Sequence, residues 1–111
     1  MSNLPPINPS VFAHRLRERR LALGLSQEAV GVAIGIDESC SRTRISRYET
    51  AKHEPALAIS RLLAKALHVP VSYFFCEDDL EAEALLIIHA VTQDQKERIV
   101  EVLRGCLPSD H

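Results

Sequence analysis

The sequence contains few of the residues that disulfide-rich or many-turned β proteins require. Only three of its 111 residues are cysteines, Cys40, Cys76 and Cys106, and no two of them form a short pairing motif. An odd number of cysteines without such a motif predicts reduced thiols and an intracellular protein. Four glycines and an aromatic content of 5% are few for a β-sandwich, which needs many turns and aromatic core residues.

The sequence also lacks a long apolar run and a secretory signal. No stretch approaches the run of about 18 apolar residues that a transmembrane helix requires. Residues 1–9 are polar and proline-rich, without the basic start and apolar stretch of an export signal. We therefore expect residues 1–9 to form a flexible N-terminal segment of a cytoplasmic protein.

Charge is distributed unevenly although the net charge is only -2. Residues 1–75 carry ten lysines and arginines against six acidic residues, whereas residues 76–111 carry three against nine. A basic first part and an acidic second part predict a partner that contacts one face of the molecule. The alternative is an uneven surface charge without a function.

Helical periodicity covers most of the chain and predicts an all-α fold. Asn8 and Ser26 are candidate N-caps, and Gly24 and Gly35 are candidate helix ends. Five helical segments are predicted within residues 10–76. They lie at about residues 9–23, 26–34, the stretch after residue 37, 55–68, and a short segment from residue 72.

The third segment is the strongest functional signal, because its exposed positions are nearly all basic or hydroxylic. Between residues 42 and 49, only Ile45 and Tyr48 are apolar enough to face a core. Gly31, in the second segment, lets a neighbouring helix approach closely. Two short helices joined by a turn, the second rich in arginine, serine and threonine, suit DNA recognition in the major groove. The alternative is a solvated helix face.

Residues 77–111 predict a C-terminal segment of two helices, over about residues 79–91 and 93–105, with Thr92 capping the second. The run from Ala84 to Ile88 is apolar on more sides than one face of a small domain buries. We therefore predict homodimerisation through this segment; the alternative is packing on the domain's own core. The predicted dimer interface consists of Leu80, Ala84, Leu85, Ile87, Ile88, Val91, Ile99 and Leu103.

Several short runs between Phe12 and Phe75 occur in an order that is typical of one family. The runs are Leu25-Ser26-Gln27-Glu28-Ala29, Gly35-Ile36, Ile45-Ser46-Arg47-Tyr48-Glu49, Lys52, Pro55 and Leu63-Ala64-Lys65-Ala66-Leu67-His68-Val69. In them the chain resembles the Cro and phage-repressor class (Xre type) of helix-turn-helix transcriptional regulators. The resemblance implies a five-helix DNA-binding domain, here residues 10–76, that places its second and third helices on DNA.

The resemblance also implies roles for individual side chains. Arg20 and Glu49 match a pair that links the first and third helices in this family. A dimer would place two recognition helices about one DNA turn apart, on a palindromic site. The positions implied for base contacts are Arg42, Thr43, Arg44 and Arg47, and those for phosphate contacts are Gln27, Ser41, Ser46 and Lys52.

The chain departs from the family pattern at three places. Arg19 replaces a usual apolar residue, and we expect its alkyl stem to cover the edge of the core. The link at residues 37–41 is about four residues longer than the usual turn, so the recognition helix either starts late or carries an extra turn. Ala51 replaces a usual glycine, which implies a left-handed residue that costs about 1 kcal/mol, or a different loop. Cys40 lies in the link near Arg42 and Arg44, surroundings that favour oxidation of a thiol. A redox-sensitive thiol is therefore one hypothesis, and an ordinary loop residue is the alternative.

Signals for catalysis and for metal binding are missing. The five histidines form no HxxxH or HExxH pattern, and neither a CxxC motif nor a phosphate-binding glycine loop occurs. We predict no enzymatic activity, metal or cofactor. The sequence predicts a cytoplasmic, nucleoid-associated regulator that binds double-stranded DNA as a homodimer and represses by occluding a palindromic operator. Two alternatives are an antitoxin-type protein and an adaptor, whose C-terminal helices would bind another protein.

Overall fold

The computed structural model describes residues 9–109, and within this range the chain is helical without a β-strand. The predicted all-α fold is confirmed, and the short segment predicted from residue 72 is a 3₁₀ helix. The predicted cap Asn8 lies outside the described residues. The elements are α1 (Pro9–Ala22), α2 (Gln27–Ala33), α3 (Glu38–Glu49), α4 (Leu57–Ala66), the 3₁₀ helix (Val71–Phe75), α5 (Asp79–Ala90) and α6 (Gln93–Gly105).

One apolar core contains residues from each of the four helices α1, α2, α3 and α4 and from the 3₁₀ helix. Phe12 and Leu16 lie one turn apart on the buried side of α1, as helical periodicity requires. The ring of Phe12 lies 4.7 Å from that of Phe74, measured between centroids. The core fixes α2 and α3 relative to α1, and so it positions the predicted DNA-binding unit. Its other buried members before α5 are Val30, Ile34, Ile45, Tyr48, Leu63, Ala64, Leu67, Val69 and Tyr73.

Local signals in the sequence set most helix ends. Ser26 caps α2 and Thr92 caps α6, as predicted: each side-chain oxygen accepts a hydrogen bond from the backbone N–H three residues later, at 3.0 and 3.2 Å. Asp37 caps α3 by accepting a bond from the N–H two residues later, at 2.9 Å. Gly24 and Gly35 follow α1 and α2 with φ of 70° and 91°, a backbone conformation that glycine adopts without strain.

A buried arginine ties α1 to the beginning of α5. The Arg15 guanidinium donates from Nε to the carbonyl oxygen of Cys76 at 2.9 Å, and from Nη2 to Asp79 Oδ1 at 3.0 Å. It also lies 5.8 Å from the ring centroid of Tyr73, which is within range of a cation–π interaction. Since the side chain is buried, these contacts replace its hydration and hold the chain where α5 begins.

The two C-terminal helices are far less buried than the rest. In α5 only Ala82 is fully buried, while Leu85 and Leu86 pack partly against the core. No residue of α6 is buried, although its capping box is complete. The described residues of these helices therefore have a defined secondary structure but almost no core of their own.

Candidate DNA-binding interface

Helices α2 and α3 meet at a contact that only glycine permits. A Cβ atom built on Gly31 would lie 2.5 Å from the Cβ of Ser41 and 2.8 Å from its Cα. Real Cβ atoms do not approach backbone atoms so closely, so any larger residue would push the helices apart. The predicted close approach at Gly31 is therefore present, and its partner is the first turn of α3.

The stretch predicted as a lengthened link is helical. Asp37 is the N-cap of α3, and Glu38 to Ser41 form its first turn, so of the two expected forms the chain adopts the extra turn. The physical reason is tertiary: Ser41 fits against Gly31, and this contact extends the helix toward its N-terminus.

The predicted phosphate contact of Ser41 is wrong. The side chain of Ser41 is fully buried, at 0% exposure. Its Oγ donates to the backbone carbonyl oxygens of Ile36 at 3.1 Å and Asp37 at 3.0 Å. A hydroxyl that satisfies backbone carbonyls beneath α3 cannot reach DNA, so Ser41 is a packing residue.

The remaining candidates on α3 form one exposed surface, which we call the recognition face: Arg42, Thr43, Arg44, Ser46 and Arg47. All are exposed except Ser46, which is half-buried. A hollow of about 290 Å³ brings four of them together, with Arg44 outside it. It contains three cations and three hydroxyls and no carboxylate, a set that binds phosphates and base edges. The hollow is lined by Arg42, Thr43, Ser46, Arg47, Thr50 and Lys52.

Thr50 is a candidate that the sequence analysis missed. It follows Thr43 and Ser46 at spacings of seven and four, which place it on the same side of a helix, and this spacing was the available signal. Its Oγ1 donates to the carbonyl oxygen of Ser46 at 2.9 Å. Ala51 next to it has φ of 60°, so the left-handed alternative is the one adopted. This turn directs the chain to Lys52, whose backbone N–H donates to the carbonyl oxygen of Arg47.

The pair Arg20 and Glu49 is present and links α1 to α3. Arg20 donates from Nε to Glu49 Oε2 at 2.6 Å and from Nη2 to Oε1 at 2.9 Å, and Nη1 donates to the carbonyl oxygen of Leu25. The hydrogen bonds to Glu49 raise the pKa of Arg20 and outweigh its desolvation. Gln27 joins the pair, because its Nε2 donates to Glu49 Oε1 at 3.1 Å. The network holds the N-terminus of α2 beside the C-terminus of α3.

Four of the residues predicted for the dimer interface are exposed, and the other four are half-buried. Leu80, Ile87 and Leu103 are exposed by 76%, 51% and 51%, and Ala84 is also exposed. Leu85 instead packs partly against the chain's own core, so it is a weaker member of the predicted interface. Three others, Ile88, Val91 and Ile99, are half-buried. A groove of about 450 Å³ is lined by Val91, Gln95, Arg98, Ile99, Val102 and Leu103.

Other features of the described chain bear on what the surface can bind. Cys40 is exposed in the first turn of α3, and its redox role stays a prediction. Among residues 9–109, no group of three or more histidine, cysteine and acidic side chains is placed to hold a metal ion. Over the same range, no helix combines the length and apolarity that crossing a membrane demands.

Known proteins are similar to this chain in sequence and in fold. The helix-turn-helix family matches residues 16–74. An uncharacterized transcriptional regulator in the ATPase CF(0) region of Rhodospirillum rubrum is 44% identical over 69 residues, which are 60% of this chain and 56% of that protein. An uncharacterized HTH-type transcriptional regulator of Sinorhizobium medicae is 36% identical over 61 residues, 55% of this chain and 41% of that protein. The match thus spans about half the length of these curated relatives.

A solved structure extends the similarity into the C-terminal helices. The crystal structure of the transcriptional regulator BswR superposes with a TM-score of 0.80 at 32% identity, over 86% of this chain and 94% of that chain. The family match covers more than half of the chain and includes α2, α3 and the recognition face. The chain therefore belongs to the helix-turn-helix transcriptional regulators of the Xre/Cro type, a family of DNA-binding proteins.

Proposed function

We propose that this protein is a sequence-specific transcriptional regulator that binds double-stranded DNA through the recognition face of α3. The observation that carries the proposal is the hollow beside Arg42 and Arg47, which combines cations and hydroxyls without a carboxylate. In the major groove, arginine donates two hydrogen bonds to guanine, and threonine contacts either base edges or a thymine methyl group. We also propose that the protein has neither catalytic activity nor a cofactor, and that it is cytoplasmic and nucleoid-associated.

The phosphate contacts we propose come from the rim of this face. Lys52 follows α3 on the loop, and Ser46 lies within the hollow. Gln27 is the first residue of α2, where backbone N–H groups favour an anion. One N–H of its side-chain amide is used by Glu49, and the amide has a second N–H for a phosphate oxygen.

We further propose that the protein acts as a homodimer on a palindromic operator and represses transcription by occluding it. Support comes from α6, which exposes apolar residues on a helix without a buried residue. Isolated helices of fewer than about 12–15 residues are marginal in water, and α6 has 13 residues. A second copy that covers α6 would stabilise it and pair two recognition faces on one DNA.

The experiment that tests DNA binding is selection from a random duplex library, followed by sequencing. The wild type should enrich a palindromic motif, and Arg42→Ala/Arg47→Ala should lose it. The control Arg17→Ala/Arg104→Ala removes the same charge from two exposed positions outside the recognition face and should keep the motif. Affinity of the wild type should fall steeply with salt, by roughly one power of salt concentration for each phosphate contacted.

Light scattering at micromolar concentration tests the dimer separately. A dimeric mass with a motif of two half-sites supports the whole proposal. A monomeric mass with a single half-site removes the dimer and the palindrome but keeps the recognition face. A library without an enriched motif would contradict the recognition face and favour the antitoxin or adaptor alternative, in which the C-terminal helices bind another protein.

A further inference from the structure

The first turn of α3, residues 38–41, occupies the stretch predicted to be a lengthened link, and the function proposed above uses none of its exposed residues. Its inward position is Ser41, which continues the buried side of α3 at a spacing of four residues from Ile45. Because the spacing of the buried side is unbroken, the added turn leaves the helix register of the recognition face unchanged. The turn therefore lengthens the helix without rotating the residues that follow it.

The added turn is held in place from two sides. Ser41 packs against Gly31 and donates to two backbone carbonyls, of Ile36 and Asp37. Asp37 accepts hydrogen bonds from the backbone N–H of Ser39 at 2.9 Å and from its Oγ at 2.7 Å. These contacts make the turn a rigid continuation of α3, and rigid placement is what base contacts require.

The outward positions of the turn lie in line with the recognition face. Cys40 precedes Thr43 by three residues and Arg47 by seven, and Ser39 precedes the same two residues by four and eight. These are the spacings at which side chains share one face of a helix. Both Ser39 and Cys40 are exposed. A further turn adds about 5.4 Å along the helix, which corresponds to one or two base pairs at 3.4 Å each.

We propose that Ser39 and Cys40 extend base recognition by one or two base pairs per half-site beyond those contacted by Thr43 and Arg47. The proposal rests on the recognition face proposed above. The hydroxyl hydrogen of Ser39 is donated to Asp37, so its Oγ offers an acceptor to a donor on a base edge, and Cys40 offers a small apolar side chain that suits a thymine methyl group.

The charge of the turn supports base contacts over phosphate contacts. Between Asp37 and Ser41 there is no lysine or arginine, and the two charged residues, Asp37 and Glu38, are acidic. Carboxylates beside phosphates repel them, so this turn adds little to overall affinity for DNA. Its neutral residues, Ser39 and Cys40, add selectivity for particular bases instead.

The test uses the motif selected by the wild type and a set of duplexes with single base-pair substitutions. Affinities are measured for the wild type, Cys40→Ser, Ser39→Ala/Cys40→Ser and the control Cys106→Ser, which removes an exposed thiol far along the chain. The wild type and the control should prefer the selected base by about fivefold or more at every contacted position. The double variant should lose that preference at one or two positions and keep it elsewhere, with an unchanged salt dependence.

Several outcomes would overturn the inference. A preference that survives at every position shows that the turn contacts no base. A uniform loss of affinity with a weaker salt dependence shows a phosphate contact instead. Should the double variant unfold at a lower temperature, Cys40→Ser decides alone, because it replaces the apolar side chain and leaves the Asp37 cap intact. Thr43→Ala/Arg47→Ala separates the two proposals: if it also changes no base preference, the recognition face itself has failed.

Discussion

The part of the chain before α5 and the two C-terminal helices differ in how they are stabilised. Before α5, each helix contributes buried apolar residues to one core, and the buried pair of Arg20 and Glu49 joins α1 to α3. In α5 only Ala82 is fully buried, and α6 has no fully buried residue. The part before α5 therefore contains nearly all of the core, whereas the C-terminal part presents exposed apolar residues that a partner can cover.

The largest expected effect is on the free energy of unfolding. It distinguishes a buried ion pair before α5 from an exposed ion pair in α6. Glu49→Ala leaves the buried Arg20 guanidinium without its carboxylate and should lower the free energy of unfolding by about 3–5 kcal/mol. Glu101→Ala removes the pair of Glu101 with Arg104, both largely exposed, and should cost less than about 1 kcal/mol. Urea denaturation of both variants measures the difference. Equal losses would contradict the contrast between the two parts.

The second effect concerns the surface of α6. Leu103→Asp places a carboxylate in the exposed apolar groove and should convert the proposed dimer into a monomer. Loss of paired half-site binding should weaken operator affinity about a hundredfold or more. Leu57→Asp, at an apolar position of α4 exposed by 57%, is the control and should keep a dimeric mass. Light scattering and operator titration report the two results, and an unchanged mass for Leu103→Asp would place the interface elsewhere.

Replacing one glycine in each part by alanine should change the free energy of unfolding in opposite directions. Gly31→Ala forces a Cβ against Ser41 and should lower the free energy of unfolding by about 1–3 kcal/mol. Gly105→Ala, in α6, meets no heavy atom within 4 Å and should raise it by about 0.5–1 kcal/mol, because alanine favours the helix. Thermal unfolding followed by circular dichroism measures both. A neutral Gly31→Ala would show that α3 moves away from α2 without cost.

The smallest effect is a pH dependence of the α3 cap. The side-chain hydroxyl and then the backbone N–H of Ser39 bond to Asp37 and lower its pKa. A carboxyl with a lowered pKa in the folded state stabilises the fold above its unfolded pKa of about 3.9, and loses this contribution as the pH falls further. Asp37→Asn, which stays neutral, should have a lower melting temperature than the wild type near neutral pH, and this difference should narrow as the pH falls below about 3.9. A gap that is constant with pH would show that ionised Asp37 adds nothing.

Local signals in the sequence determined the helices and the class of protein. These signals act over a few residues of the chain, so they can be recognised from the sequence alone. They are the caps Ser26 and Thr92, the helix ends at Gly24 and Gly35, and the spacing of apolar residues. The order of short runs from Leu25 to Val69 indicated the helix-turn-helix family, and with it the pairing of Arg20 with Glu49.

Which polar residues are buried, and where α3 begins, depend on contacts between helices that are distant in sequence. Ser41 carries a hydroxyl, as many DNA-contacting residues do, but its contact with Gly31 buries it. The stretch that was predicted to be a link is helical because of this contact. Arg15 looks like one more surface cation, yet it bonds to residues more than sixty positions away. Burial depends on what packs opposite a side chain, and a partner distant in sequence leaves no local pattern from which it could be predicted.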